Sequence, residues 1–280
     1  MMRSIMLPLL MLAAALPAVA QQRPLETEDP EVIGAGRMLI EFGVDYSRDH
    51  VNQVSGLRGN LFTVPTLGVS MGVSSIAEIQ MHLGGYQQLT ITERNPGAPF
   101  AEFLMLDGDT TSDLEDMHIG AKVKLVPEGA RRPSIATRFS TRLPNAGNES
   151  GLGKDMQDFS TSILIGKTVQ SVRVVGNIGL LMIGNPTRPA AQDDLLFYNL
   201  SVARAVSDAA EVVGEFVGRA NFARTITPGA EDRGLLRFGA RYTHAGVRLD
   251  GGLMVGLTPR DPAFGVTAGL TWVFNAIHIP

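Results

Sequence analysis

Fourteen ionisable residues of this 280-residue chain share one spacing: each takes a polar position in a run where apolar residues alternate with small or polar ones. Glu41, Glu78, His82, Asp116, His118, Lys122, Lys124 and Arg138 lie in the first half of the sequence; Glu215, Arg219, Arg237, Arg241, Arg248 and Asp250 lie in the second. A period of two sends them to one face of a pleated strand and their apolar neighbours to the other. Charges of both signs on a shared face do one of two things. They line an aqueous channel, where the basic ladder Arg237, Arg241 and Arg248 draws anions, or they pair across a closed interior as a salt-bridged core. Glu215 and Arg219 precede Arg237 and Arg241 by one strand, a placement that suits pairing.

Nucleophilic catalysis asks for a hydroxyl within hydrogen-bond reach of an imidazole. His82 and His118 share the polar face, His50 falls in a connection, His278 in the tail, and His244 beside a turn with no serine on its own face. No catalytic residue is expected, and the chain reads as a non-enzyme. Gly34-Ala-Gly36 lacks the third glycine of a dinucleotide fold, and Gly151-Leu-Gly153-Lys154 lacks the spacing of a phosphate loop. Asp107, Asp109 and Asp113 depart from the EF-hand pattern and read as a solvated acidic loop. The chain has no cysteine, which excludes disulfides and thiolate metal sites; no metal and no cofactor is implied.

The elements that must hold these residues are strands. Twelve are predicted, the first six at about Gly36 to Tyr46, Leu61 to Met71, Ala77 to Gly84, Met117 to Leu125, Ser134 to Arg142 and Phe159 to Val169. The others are Val174 to Met182, Leu196 to Ala203, Val212 to Ala220, Leu236 to Thr243, Val247 to Leu257 and Gly265 to Phe274. In the fourth, Met117, Ile119, Ala121, Val123 and Leu125 oppose Asp116, His118, Gly120, Lys122 and Lys124. The second, which contains Pro65, is the least regular. Connections after even-numbered strands are short, as at Gly72 to Ile76, Gln170–Ser171 and Ala245–Gly246. Those after odd-numbered strands are longer: Ser47 to Asn60, Gln87 to Asp113, Leu143 to Asp158, Asn185 to Asp194 and Asn221 to Arg233. Short periplasmic turns alternating with longer outer loops are the pattern of an antiparallel up-and-down transmembrane β-barrel with both termini inside. A soluble barrel or sandwich would turn the apolar face inward. Its solvated side would then carry Gly120, Gly179, Gly239, Gly252 and Gly269, poor cover for a sheet.

Residues 1–20 read as an export signal, with Arg3, an apolar run from Ile5 to Leu16, and Ala18-Val19-Ala20 before Gln21. That run falls short of the roughly 20 residues a membrane-spanning helix needs. Residues 21–35 form a periplasmic leader; Pro24, an acidic cluster and Pro30 favour an irregular segment able to enter the periplasmic mouth as a plug. The barrel then covers 36–274 and a periplasmic tail 275–280. The net charge of −4, more negative once Arg3 is removed, gives no reason to expect nucleic-acid binding.

Several motifs carry a family resemblance. Arg23-Pro24-Leu25-Glu26-Thr27-Glu28-Asp29 leads into Gly34-Ala-Gly36 and a first strand bearing Glu41. Ser75-Ile-Ala-Glu78 opens the third strand, Asp116-Met-His-Ile-Gly120-Ala121-Lys122 forms the fourth, and Leu143-Pro144-Asn145 is followed by Gly151-Leu-Gly153. Together these resemble bacterial outer-membrane proteins of the phenol-degradation meta-pathway type, often labelled transporters. The resemblance covers the first half best. It implies an outer-membrane β-barrel that passes hydrophobic or aromatic compounds.

The sequence thus describes a monomeric twelve-stranded barrel in a Gram-negative outer membrane. Its expected function is a channel or transporter for passive uptake of small compounds, hydrophobic or aromatic ones among them. The alternative is a closed structural or adhesive barrel with a packed polar interior and binding outer loops. The expected partners are outer-membrane lipid, the barrel assembly machinery through the last strand with Trp272 and Phe274, and a solute that the sequence does not identify.

Overall fold

The computed structural model describes residues 23–188 and 191–276. The predicted export signal, residues 21–22 of the leader, and residues 277–280 with His278 lie outside the described residues. Fourteen strand segments form one antiparallel sheet. The first seven are β1 (Arg37–Asn52), β2 (Leu57–Gly72), β3 (Ala77–His82), β4 (Tyr86–Arg94), β5 (Thr110–Leu114), β6 (Met117–Val126) and β7 (Ser134–Leu143). The rest are β8 (Asp158–Val169), β9 (Val172–Gly184), β10 (Gln192–Ala205), β11 (Ala210–Ala220), β12 (Arg233–His244), β13 (Val247–Gly256) and β14 (Phe264–Asn275). β1 pairs with both β2 and β14, which closes the sheet into a barrel. β3 and β4 lie end to end along β2, with β6 and β5 opposite them, so fourteen segments make twelve strands around the ring.

Burial in this barrel is inverted relative to a soluble protein. Ile163, Ile178, Leu200, Phe238 and Leu253 are each more than half exposed, whereas Lys122 and Glu78 are 0 % and 1 % exposed. Leaving such an apolar side chain in water forfeits roughly 1.5–3 kcal/mol each. Dozens of them on one closed surface require a hydrocarbon solvent instead. Closure satisfies the other demand of a bilayer, since a barrel leaves no unpaired strand edge. The chain is an outer-membrane β-barrel.

Two predicted loops are strand. β1 continues to Asn52 and β2 begins at Leu57, which leaves residues 53–56 as the connection in place of Ser47 to Asn60, and His50 belongs to β1. The predicted loop Gln87 to Asp113 contains β4 and β5. The reason is a change of solvent along the strands. A transmembrane β-strand needs about 9–11 residues to cross the hydrocarbon, and β1 and β2 have 16 each. Above the lipid the pattern reverses: Leu57, Leu61, Leu89 and Ile91 point inward and are buried with Leu104, Leu106 and Leu152 of the outer loops, while Gln88, Thr90 and Thr92 face water. A reader following the apolar-outward rule sees the strand stop where only its surroundings change. The break between β3 and β4 follows from Gly84, which has a φ of +70° and packs so closely on the Glu115 carbonyl that a Cβ would overlap it.

The connections at the short-turn end, which by barrel convention is the periplasmic one, are tight. At Ala245–Gly246 both residues have positive φ, 49° and 81°, as the type I′ hairpin turn requires. The leader joins the barrel at this end: Gly36 N–H donates to the Gly72 carbonyl at 2.9 Å, and β1 starts at the next residue.

Candidate functional site

Residues 23–33 cross the periplasmic half of the lumen, and their contacts come from nearly every strand. With Pro24 and Pro30 the leader forms no strand of its own, so its backbone groups must find partners on the wall. Wall side chains supply them. Glu215 accepts from the Glu26 and Thr27 amides at 2.7 and 2.8 Å and from the Thr27 hydroxyl at 2.6 Å. Asn177 accepts from the Glu28 amide at 2.7 Å and donates to the Glu28 carbonyl at 2.8 Å. Glu78 accepts from the Ile33 amide at 2.7 Å.

The leader's carboxylates meet cations in turn. Glu26 pairs with Arg237. Glu28 pairs with Lys122 at 2.8 Å and stands 3.6 Å from Arg138. Asp29 is held by Arg173, with one bond at 2.7 Å, and Glu31 by Lys124 at 3.1 Å. Lys122 is the centre of this network. Its ammonium lies 3.0 Å from Glu78 and donates to the Asp29 carbonyl at 2.9 Å, so three acceptors satisfy its three protons. Below it, Glu128 in the β6–β7 turn binds Arg173 at 2.9 Å and Lys167 at 3.1 Å. Burial would raise the Glu128 carboxyl, but the Thr168 amide, Lys167 and Arg173 outweigh it and hold the group below the usual carboxylate range.

Glycines in the wall make room for the leader. Gly43 and Gly269 face each other across β1 and β14, and a Cβ on either would overlap the Arg23 side chain. That guanidinium donates to Thr66 at 2.9 Å, Thr267 at 2.6 Å and the Ala268 carbonyl at 3.0 Å, and lies 3.5 Å from Asp250. The facing pair Gly239 and Gly252 admits Pro24, whose ring is 2.8 Å from where a Gly239 Cβ would stand.

Above the leader the lumen opens. A cavity of about 670 Å³ runs from Glu26 to the outer residues Val51–Val54, Leu152–Lys154 and Gly229. A second of about 400 Å³ continues it against β9–β12, sharing Glu26, Arg138, Leu181, Arg219 and Arg233 and adding Phe197, Val217 and Leu235.

Twelve of the fourteen sequence candidates divide between these regions. Glu41, Glu78, Lys122, Lys124, Arg138, Glu215, Arg237, Arg241 and Asp250 contact the leader; Glu41 accepts from the Arg23 amide at 3.4 Å, and Arg241 donates to the Arg23 carbonyl at 2.8 Å. His82, His118 and Arg219 line the large cavity, with His82 3.0 Å from Glu115 and its ring 6.0 Å from that of His118. Asp116 braces the loop after β7, accepting from Arg142 at 2.9 Å and from the Asn145 and Ala146 amides at 2.8 and 2.9 Å. Arg248 joins neither region and donates to Thr243 at 3.1 Å near the periplasmic end. The proposed neighbours of Glu215 and Arg219 separate: Glu215 is opposite Arg237, but Arg219 is opposite Arg233. Sequence reasoning did not single out Arg23, Gln80, Arg142, Arg173, Asn177 or Arg233 as site residues, nor the individual acids of the leader. The usable signal was four acids within six leader residues, Glu26 to Glu31, ahead of a wall whose inward lysines and arginines needed partners.

No family model matches the chain, and no curated protein resembles it in sequence. Solved structures similar to it include the translocator domain of the autotransporter NalP from Neisseria meningitidis, at 11 % identity and a TM-score of 0.48 over 86 % of this chain and 89 % of that one. The NanC porin is similar at 8 % identity and a TM-score of 0.48, over 86 % and 100 %. A deletion mutant of the TodX monoaromatic hydrocarbon channel is similar at 8 % identity and a TM-score of 0.42, over 88 % and 93 %. The barrel assignment stands on closure and inverted burial rather than on these likenesses.

Proposed function

We propose that this outer-membrane barrel is a non-catalytic channel for passive uptake of small molecules, closed at rest by its own leader acting as a plug. The observation that carries the reading is the layering of the lumen. An open polar cavity at the outer end stops at residues 23–33, whose polar groups are held by hydrogen bonds and ion pairs that can be exchanged for water and whose Pro24, Leu25 and Ile33 are packed against the wall. The family resemblance to transporters of hydrophobic or aromatic compounds is consistent with the apolar inward residues Leu181, Phe197, Val217 and Leu235. A second reading, the closed structural barrel, is favoured by Lys122, a fully buried cation satisfied on all sides.

The two separate in planar lipid bilayers. The refolded mature chain is expected to be mostly silent, and a form lacking residues 21–35 to show discrete conductance steps. Silence from the shortened barrel, with folding shown by heat-shifted gel mobility, overturns the channel.

A further inference from the structure

Within the outer cavity the balance of charges is uneven. Each carboxylate in the large cavity's wall has a cation: Glu26 has Arg237, Glu115 has His82 at 3.0 Å, and Asp158 has Arg142 and Lys154. Two cations have no carboxylate within ion-pair distance among the described residues. Arg219 and Arg233 stand directly opposite each other on β11 and β12, a like-charge pair that destabilises a sheet. Arg219 donates to the carbonyls of Glu231 and Gly229, both at 2.9 Å. Arg233 makes one long contact, 3.4 Å, to the Val51 carbonyl, and its Nε is buried without an acceptor. Asp261 and Glu231 act on both arginines through space, but neither reaches ion-pair distance: Asp261 Oδ2 accepts from the Gly234 and Thr258 amides, and Glu231 from the Gly229 amide.

Both arginines border the smaller cavity as well, whose wall carries Leu181, Phe197, Val217 and Leu235. These inward-facing apolar groups beside the two arginines provide a surface for an apolar body. Paired guanidiniums provide planar, bidentate recognition of a carboxylate. Resting on the channel reading above, we propose that Arg219 and Arg233 form a binding site for a small organic anion, a carboxylate with an apolar body, whose charged end lies between the two guanidiniums and whose body lies against Phe197 and Leu235. The anion supplies the direct ion pair that neither arginine makes, and the site stands immediately above the leader, where a solute would wait before the barrel opens.

Isothermal titration of the full mature chain in detergent micelles tests this with benzoate as the probe, benzyl alcohol as its uncharged counterpart and acetate as the charge without the body. Saturable benzoate binding is expected at one site per barrel, with acetate and benzyl alcohol at least tenfold weaker. R219Q and R233Q should each weaken benzoate tenfold or more, and F197A should erase the preference for benzoate over acetate. Each arginine change relieves a like-charge contact, so these variants should keep the heat-shifted mobility of a folded barrel; R48Q, outside the cavity, serves as the matched loss of charge. Absence of saturable binding by the folded chain, or binding that R219Q and R233Q leave unchanged, overturns the site. Binding without conductance from the leader-deleted form leaves the site standing and removes the channel, whereas conductance without binding does the reverse.

Discussion

The two halves of the lumen are enclosed by the same strands yet follow different rules. In the periplasmic half Lys122, Lys124, Arg173 and Arg237 each meet a carboxylate of the leader, and the wall is cut back to glycine where Arg23 and Pro24 press against it. In the outer half the leader is absent, space remains, and Arg219 faces Arg233 with no acid between them. A twelve-stranded ring is too wide for its own side chains to fill; eight strands are about the limit. What differs between the halves is therefore the supply of a second layer of chain. The wall is built as one half of an interface wherever the leader runs and as a solvated surface wherever it does not.

The comparison breaks most readily at Lys122. Replacing it with Met leaves Glu28 and Glu78 buried without their shared cation, and removing one partner from a buried ion pair typically costs about 3–5 kcal/mol. Lys122→Met should accordingly lower the urea midpoint at which the heat-shifted band disappears by the largest margin of any single change. A midpoint within error of the parent would show that the periplasmic half is not held by this network. A smaller effect is expected at Gly269, where a Val side chain must displace the Arg23 guanidinium. Overpacking of this kind costs roughly 1–3 kcal/mol, and in bilayers Gly269→Val should give brief openings that the parent lacks. Gly176→Val is the control: a Cβ there meets only the Asn199 carbonyl at 3.8 Å, so stability and conductance should stay at parent levels. If both glycine variants behave alike, the wall is not shaped to the leader.

The smallest expected effect concerns acid. Because the folded state holds Glu128 below the usual carboxylate range, its contribution is fully present above the ordinary carboxylate value and is lost as the pH falls through the lowered one. Arg173, shared between Glu128 and Asp29, should therefore keep its grip through mildly acidic periplasmic pH. Protease access to the leader, followed against pH, should stay flat from neutral through mild acidity and rise only below the ordinary carboxylate range. In Glu128→Gln the carboxylate is gone at every pH, so this component of the rise should vanish.

Much of the ring was legible because lipid imposes a one-residue alternation on everything it touches. Val174, Ile178 and Leu180 could hardly face any other way, and each falls in a strand at its expected place. Legibility failed where lipid ends. Leu89 and Ile91 point inward under the outer loops, so β4 carries a soluble pattern that the apolar-outward rule does not recognise as strand. The candidate site was half legible for a related reason. Parity puts Glu78 and Lys122 on one face, but nothing in a period of two says that Glu28, more than 90 residues before Lys122, will bind the same ammonium. Contacts made by an irregular segment carry no periodicity. Glycines at 239, 252 and 269 recorded its path, although a glycine in a sequence does not say what approaches it.

The short join between leader and barrel has a further consequence. Ile33 is bound to Glu78 and β1 begins at Arg37, so an expelled leader remains tethered within a few residues of the mouth it left. A ligand held by so short a tether returns at an effective concentration of order millimolar, whatever the dilution of the protein. Reclosing is then a first-order event of a single molecule, and any solute or partner that keeps the barrel open competes against that fixed local concentration.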